Sequence, residues 1–187
     1  MLISVADIKS FLGITTNTDD DKLLPLIQSA QDIADSAVDF ELEGSTITEF
    51  QDGDGTDIIQ LRVTPVKSIT SLHTDWDRVY GSDTLVSPND YAFNANTGII
   101  RAISCNFESG TNSIKIVYIA GYNGIGATAY TDLPYDLRQA LIYLASAMYI
   151  EAKAGVNVFE NQEIVYRPSY LKGEAQKILD GYRKITV

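Results

Sequence analysis

A chain of 187 residues with 45% hydrophobic and 21% charged residues has the composition of a folded protein that can bury a core. No apolar run reaches the roughly 20 residues of a membrane-spanning helix, and residues 1–12 lack the pattern of a signal peptide. The single cysteine, Cys105, has no partner for an internal disulfide, so nothing indicates an oxidising compartment.

The negative charge is concentrated in the first third of the chain. Residues 1–60 hold 13 acidic and 2 basic side chains, a net of −11, whereas residues 61–187 hold 12 of each. Residues 167–187 carry five basic and two acidic side chains, a net of +3. The acidic part would repel phosphate backbones, so binding to nucleic acid over most of the surface is disfavoured. The basic end could pair with the acidic part of another copy of the chain or with another acidic partner. The alternative is that the acidic residues form a solvated face that has no partner.

Two helices are predicted at the start of the chain. Ser4 and Asp7 have the spacing of a capping box, and Gly13 marks the end of this first helix. A second helix is predicted from Asp21 to Val38, because its apolar residues recur at helical spacing.

The middle of the chain is predicted to be a β region with five or six short strands, which makes the fold class α+β. Ile47–Phe50 and Ile58–Val63 flank Asp52–Gly55, which predicts that these two segments pair as a hairpin. A last strand, Ile114–Ala120, leads into a glycine-rich link.

A third helix begins near Pro134, which suits the first helical turn, and is apolar on nearly all sides. Such a helix must be covered on several sides, and in so short a chain this predicts neighbouring subunits. The four residues that we expect in this intersubunit wall are Ile142, Tyr143, Tyr149 and Ile150. After an irregular or extended arm, a last helix is predicted from Pro168 to Arg183.

We therefore expect four parts. They are an N-terminal helical part (1–44), an inserted β module (45–121), a long core helix of the helical part (122–155), and a C-terminal arm and helix (156–187).

No motif predicts catalysis, a cofactor or a metal. As a catalytic base His73 would need a nucleophile and an orienting partner, and no serine or cysteine motif surrounds it. Asp52–Asp57 resembles a calcium loop but lacks the glycine and glutamate that an EF-hand needs, so a plain acidic turn is favoured. Asp75 and Asp77 could form the carboxylate pair of a hydrolase, but such pairs are common in solvated loops. Gly121–Gly126 does not match a phosphate-binding loop.

Several segments, taken in order, resemble the head–tail connector (adaptor) proteins of tailed bacteriophages. They are Val5–Gly13, the helix Asp21–Val38, Thr64–Leu72 with its Pro-Val-x-Ser-Ile pattern, Asn89–Phe93 with Thr97–Ile100, Ile114–Tyr122 and the helix that opens at Leu133-Pro134. The resemblance covers residues 1–154. It implies a helical adaptor core with an inserted small antiparallel β module and an extended C-terminal arm and helix.

The resemblance also implies a structural virion protein without enzyme activity, made in the host cytoplasm. Such connectors form a ring, expected to be dodecameric, between the portal protein and the next neck or tail protein. DNA passes through the ring without sequence-specific binding. Another neck or tail protein (tail completion or minor tail) is the alternative, and a calcium- or carbohydrate-binding module built on Asp52–Asp57 is a weaker one.

Family members often reach the portal with a C-terminal segment. Carried over to this chain, the expected portal or subunit contacts are Val156, Phe159, Tyr166, Arg167, Tyr170, Lys172, Lys177, Tyr182, Arg183 and Lys184.

Overall fold

The computed structural model describes residues 1–103, 106–122, 133–154 and 167–183. The chain divides into two compact units, which we call the helical unit (Met1–Glu43 with Tyr122–Val187) and the β module (Gly44–Gly121). The helices of the first unit are α1 (Val5–Leu12), α2 (Asp20–Val38), α3 (Tyr135–Ala154) and α4 (Pro168–Tyr182). None of the helices within the described residues is long and apolar enough to cross a membrane.

The ends of α1 follow the sequence signals. The Ser4 hydroxyl accepts the N–H of Asp7 at 3.3 Å, and the Asp7 carboxylate accepts the N–H of Ser4 at 2.8 Å. Gly13 closes the helix in the left-handed conformation with a φ of 70°, which glycine adopts without steric cost. The predicted capping box and glycine stop are confirmed.

Helix α3 lies at the centre of the helical unit and is covered by the same chain. Its residues Leu137, Ala140, Leu141 and Ala145 are at most 1% exposed and belong to one cluster with buried side chains of α1, α2 and α4. Ala147 and Ile150 pack with Leu171 of α4. The sequence led us to infer that a helix apolar on all sides needs neighbouring subunits. This inference is corrected, because α1, α2 and α4 of the same chain bury the apolar residues of α3.

Helix α4 begins at Pro168, in the first turn, as predicted. Leu171, Ala175 and Leu179 recur at helical spacing and are at most 1% exposed, so this face seals the core of the helical unit. The predicted arm before residue 167 lies outside the described residues.

The β module contains two three-stranded antiparallel sheets. The first has the strand order β1 (Ser45–Gly53), β6 (Gly110–Ala120), β3 (Val66–Thr74), and the second has β2 (Ile58–Gln60), β5 (Ile99–Ala102), β4 (Tyr91–Phe93). A short 3-10 turn, Ser82–Thr84, follows β3. The buried side chains of both sheets form one cluster that includes Ile59, Leu72, Ile100, Ile116 and Tyr118.

The predicted hairpin between the first two strands is wrong. β1 pairs with β6, and β2 pairs with β5 in the other sheet. The turn residues between β1 and β2 therefore connect two sheets. The predicted α+β class is confirmed: four helices and two small antiparallel sheets occupy the described residues.

Candidate interaction surfaces

The outer face of α4 carries most of the described residues that we expected at a portal contact. Arg167 and Arg183, at the two ends of the helix, are exposed, and Tyr170 is 61% exposed. The Lys172 ammonium pairs with the Glu151 carboxylate of α3 at 2.8 Å, and Lys177 pairs with Glu174 at 2.6 Å. The charges of Lys172 and Lys177 are therefore neutralised by acidic residues of the same chain. Val156, Phe159, Tyr166 and Lys184 lie outside the described residues.

Tyr182 faces inward, toward the start of α3. Its hydroxyl donates to the Asp136 carboxylate at 2.7 Å. Burial, and then the hydrogen bond and charge of that carboxylate, raise the pKa of Tyr182 above its usual range. The bond therefore holds the last turn of α4 against the first turn of α3.

The four residues expected in an intersubunit wall divide into two kinds. Ile142 and Ile150 are 8% and 7% exposed, so they pack within the chain. Tyr143 and Tyr149 are half-buried: the Tyr143 ring lies 5.5 Å from that of Phe11, and the Tyr149 hydroxyl donates to Asp19 at 2.9 Å. Only the two tyrosines keep surface that a neighbour could contact.

Asp19, just before α2, gathers three partners from two helices. Its carboxylate pairs with Lys153 of α3 at 2.7 Å and Lys22 of α2 at 3.0 Å, and accepts the Tyr149 hydroxyl. The hydrogen bond from Lys153, more than those from Lys22 and Tyr149, holds the pKa of Asp19 well below its usual range. The end of α3 is thereby joined to the start of α2.

The acidic turn after β1 does not gather its carboxylates around one point. Asp52 accepts the N–H of Asn112 at 2.7 Å, Asp54 accepts both the N–H and the hydroxyl of Thr56, and Asp57 pairs with Arg101 at 3.1 Å. Within the described part of the chain no group of three or more metal-binding side chains is found. These bonds and the ion pair fix the shape of the turn.

Asp75 organises the loop that follows β3. Its carboxylate accepts the backbone N–H groups of Asp77 at 2.9 Å, Val79 at 2.9 Å and Tyr80 at 2.7 Å. These bonds, that of Tyr80 first, lower the pKa of Asp75. The carboxylate therefore serves as the centre of a turn, and it is only 7% exposed.

The same loop exposes two large apolar side chains that sequence reasoning did not single out. Trp76 is 70% exposed and Val79 is 78% exposed. The signal was available, because Trp76 is the only tryptophan of the chain and stands between two aspartates. The sequence pattern indicates a possible carboxylate pair there and does not indicate an exposed indole.

Comparison with known proteins identifies the family. A family model described as "Head completion protein" matches residues 1–185. The chain belongs to the head completion protein family. This membership confirms the resemblance to head–tail connector proteins and the prediction of a structural virion protein. No curated protein matches the chain.

Solved structures with the same fold come from gene transfer agent (GTA) particles. This head completion protein is similar to a chain in the neck of an empty GTA particle computed with C6 symmetry, with a TM-score of 0.63, 19% identity, and coverage of 99% of this chain and 91% of that one. It is also similar to a chain in the neck of a native GTA particle computed with C12 symmetry (TM-score 0.61, 20% identity, 98% and 89% covered). A chain in the virion of the native particle gives a TM-score of 0.61 at 19% identity, with 99% and 91% covered.

Proposed function

We propose that the protein is a structural component of the virion neck, where it forms a ring beneath the portal, joins the capsid to the tail and extends the DNA channel. The match to the head completion family over residues 1–185 supports this proposal most directly. The fold adds support, because similar chains occur in necks computed with C6 and C12 symmetry. We propose a ring of twelve subunits on the same grounds.

The charge distribution suits such a ring. Residues 1–60 carry a net charge of −11, and an acidic wall would not retain DNA that must pass through it. Contacts between neighbours in a closed ring are heterologous, so two different patches of each subunit meet. Tyr143 and Tyr149 of α3 are candidates for one of these patches, since part of each side chain remains exposed.

We propose the outer face of α4, with the chain on either side of it, as the contact with the portal. Arg167, Tyr170 and Arg183 are exposed, and the ion pair of Lys177 with Glu174 lies on the same helix. The inner face is already used, because Leu171, Ala175 and Leu179 are buried in the helical unit. Exposed basic and aromatic side chains on a fixed helix fit an acidic partner surface.

We propose neither a catalytic role nor a cofactor. The function is structural, as in the family, and four of the five candidate carboxylates are engaged in local hydrogen bonds or an ion pair: those of Asp52, Asp54, Asp57 and Asp75.

Electron microscopy of purified portal rings with and without this protein tests the proposal. We expect one additional layer of density beneath the portal, with twelve copies, when the protein is added. Binding to tail ends and not to portals would favour a tail-completion protein instead. Calorimetry with Ca²⁺ and with a glycan panel tests the binding-module alternative, for which we expect no heat of binding.

Point variants on α4 test the portal contact better than a deletion does, because removing residues 168–187 would uncover the core of the helical unit. We expect Arg167→Glu combined with Tyr170→Ser to abolish co-sedimentation with portal rings. The matched control is Gln176→Ser with Asp180→Asn, on another part of the exposed face, where the Gln176 amide donates to the Asp180 carboxylate at 2.8 Å. Equal binding by both double variants would refute the contact.

A further inference from the structure

The loop 75–80, which we call the Trp76 loop, presents an apolar surface in a fixed shape. Trp76 and Val79 are 70% and 78% exposed, more than most large apolar side chains of the described residues. The ring of Tyr80 extends this surface onto the first sheet, with its centroid 5.6 Å from that of Phe50. Phe50 is itself 48% exposed. Exposed aromatic clusters of this kind characterise protein contact sites.

Several bonds fix the Trp76 loop in place. Besides the three N–H groups bound by Asp75, the N–H of Trp76 donates to the Glu108 carboxylate at 2.8 Å, and the Tyr80 hydroxyl donates to the carbonyl of Asn112. One edge of the indole lies against Gly110, where an added Cβ would come within 3.2 Å of the ring.

The backbone of this loop is strained. Arg78 and Tyr80 both have positive φ angles, 61° and 53°, although neither is glycine. Conformations of this kind persist where the surrounding structure enforces them, and they concentrate at functional sites. A loop that is already ordered loses little entropy on binding, so the exposed indole is suited to act as an anchor.

A depression of about 540 Å³ lies elsewhere on the β module, and we call it the β3 pocket. Its lining includes Lys67, Ile69, Pro88, Tyr91, Ala92 and Phe93. The volume falls within the range of roughly 300–1,000 Å³ that is typical of small-molecule pockets. Phe93, one of the lining residues, is 39% exposed, so apolar surface is accessible there.

The Trp76 loop and the β3 pocket lie at opposite ends of one strand. β3 runs from Val66 to Thr74, the pocket uses its first residues, and the loop follows its last. At about 3.3 Å per residue, roughly 16 Å separate Ile69 from Thr74, the last strand residue before the loop. The two surfaces therefore cannot meet within one β module, but they can meet between two copies.

We propose that the Trp76 loop of one subunit inserts into the β3 pocket of the next subunit. This inference rests on the proposed ring, whose closure requires two different patches on each subunit. A protruding anchor and a recess on the same small module supply such a pair. An ion pair can form across this contact, because Asp77 and Glu108 lie beside the tryptophan and Lys67 lies at the pocket, while Arg78 adds one positive charge to the loop.

Cross-linking between subunits tests the contact directly. In a Cys105→Ser background, Val79→Cys marks the loop and Ala92→Cys marks the pocket, and Trp76 is left in place. Rings assembled on the portal are treated with a short bis-maleimide linker. We expect a ladder of covalent oligomers when both cysteines are present and no ladder from either single variant. Rings that assemble normally but give no ladder would overturn the inference, as would cross-links to the portal alone.

A second pair of variants separates this contact from general loss of fold. We expect Trp76→Ser to raise the subunit concentration required for assembly at least tenfold. Tryptophans that become buried at an interface are frequent hot spots. Tyr135→Ser is the control, because that aromatic residue is 89% exposed and lies in the helical unit. Unchanged assembly of the Trp76→Ser variant would overturn the inferred contact but not the proposed ring. Failure of the unmodified protein to form any ring would instead refute the proposed function, and the contact with it.

Discussion

Glu49 is a buried carboxylate in the β module with partners from three segments. It is 5% exposed and accepts the Tyr118 hydroxyl at 2.7 Å, the Gln51 amide at 2.6 Å and the N–H of Arg62 at 3.3 Å. Burial, and then the Glu49 carboxylate, raise the pKa of Tyr118 above its usual range, so its hydroxyl stays protonated and donates. The pair ties β1 to β6 through side chains as well as through the backbone.

Tyr118→Phe removes this donor and leaves the carboxylate with one bond fewer. Because hydrogen bonds to charged groups contribute about 1.5–3 kcal/mol, we expect a loss of that size in the free energy of unfolding, measured by urea denaturation. Tyr135→Phe, at an exposed position, is the control and is expected to change little. A loss below about 0.5 kcal/mol at Tyr118 would show that the bond contributes little.

Asp75 makes the Trp76 loop sensitive to acid in a defined range. Its pKa is lowered from 3.8 in the folded protein, so the stabilisation by its charged form is complete above pH 3.8 and is lost as the pH falls through the lowered value. The emission of Trp76, the only tryptophan, reports the loop during titration from neutral pH downward. We expect its change to begin only below pH 3.8.

Asp75→Asn is the matched control for this titration, since a carboxamide does not ionise. In this variant the tryptophan is expected to be more accessible to a quencher at neutral pH and to lose the acid transition of the loop. The same transition in both proteins would assign it to other groups.

At the scale of elements, α4 is held by its apolar face. Leu179→Ala removes a side chain that is 0% exposed, and we expect a loss of about 2–5 kcal/mol in the free energy of unfolding of the helical unit. Tyr170→Ala, on the exposed face, is expected to stay within about 0.5 kcal/mol of the unmodified protein. Urea denaturation followed by helical circular dichroism measures both, and equal effects would contradict the packing described.

The helices were predictable because their signals are local. Each of these signals acts within one helical turn: the capping box at Ser4, the glycine at position 13 and Pro168. The ends of α1, α2 and α4 therefore lie within one residue of the predicted ends. The covering of α3 was not predictable, since periodicity shows that a face is apolar and not which chain covers it.

The prediction of strand pairing was wrong for a similar reason. The turn residues 52–55 indicate that the chain reverses, but the partner of β1 is β6, far along the chain. Pairing at such a separation is decided by the burial of both sheets together, which no local pattern encodes. Of the candidate surfaces, α4 was expected from the sequence, whereas the Trp76 loop depends on a carboxylate that binds backbone groups up to five residues away.

At the scale of the whole molecule, the β module has adjacent ends. Ser45 and Ala120 are paired across the first sheet, so the chain enters and leaves the module at neighbouring points. The module also contains its own buried cluster. These two features favour independent folding.

We expect a fragment of residues 44–121 to fold alone, with a β-type circular dichroism spectrum and a cooperative thermal transition. Residues 44–109 are the control: this fragment lacks β6, which pairs with both β1 and β3, and we expect it to be unfolded. An unfolded 44–121 fragment would show that the module depends on the helical unit.

The Asp19 cluster has a mechanical consequence. Lys153, one residue before the end of α3, is bound to Asp19 at the start of α2, so the chain leaves this helix from an anchored point. Tension applied beyond residue 154 would act on a helix end that is held by this ion pair and by the packing of Ile150 with Leu171. The load on a neck subunit pulled from that side would be shared with α2 and α4, which opposes unwinding of the last turn of α3 by itself.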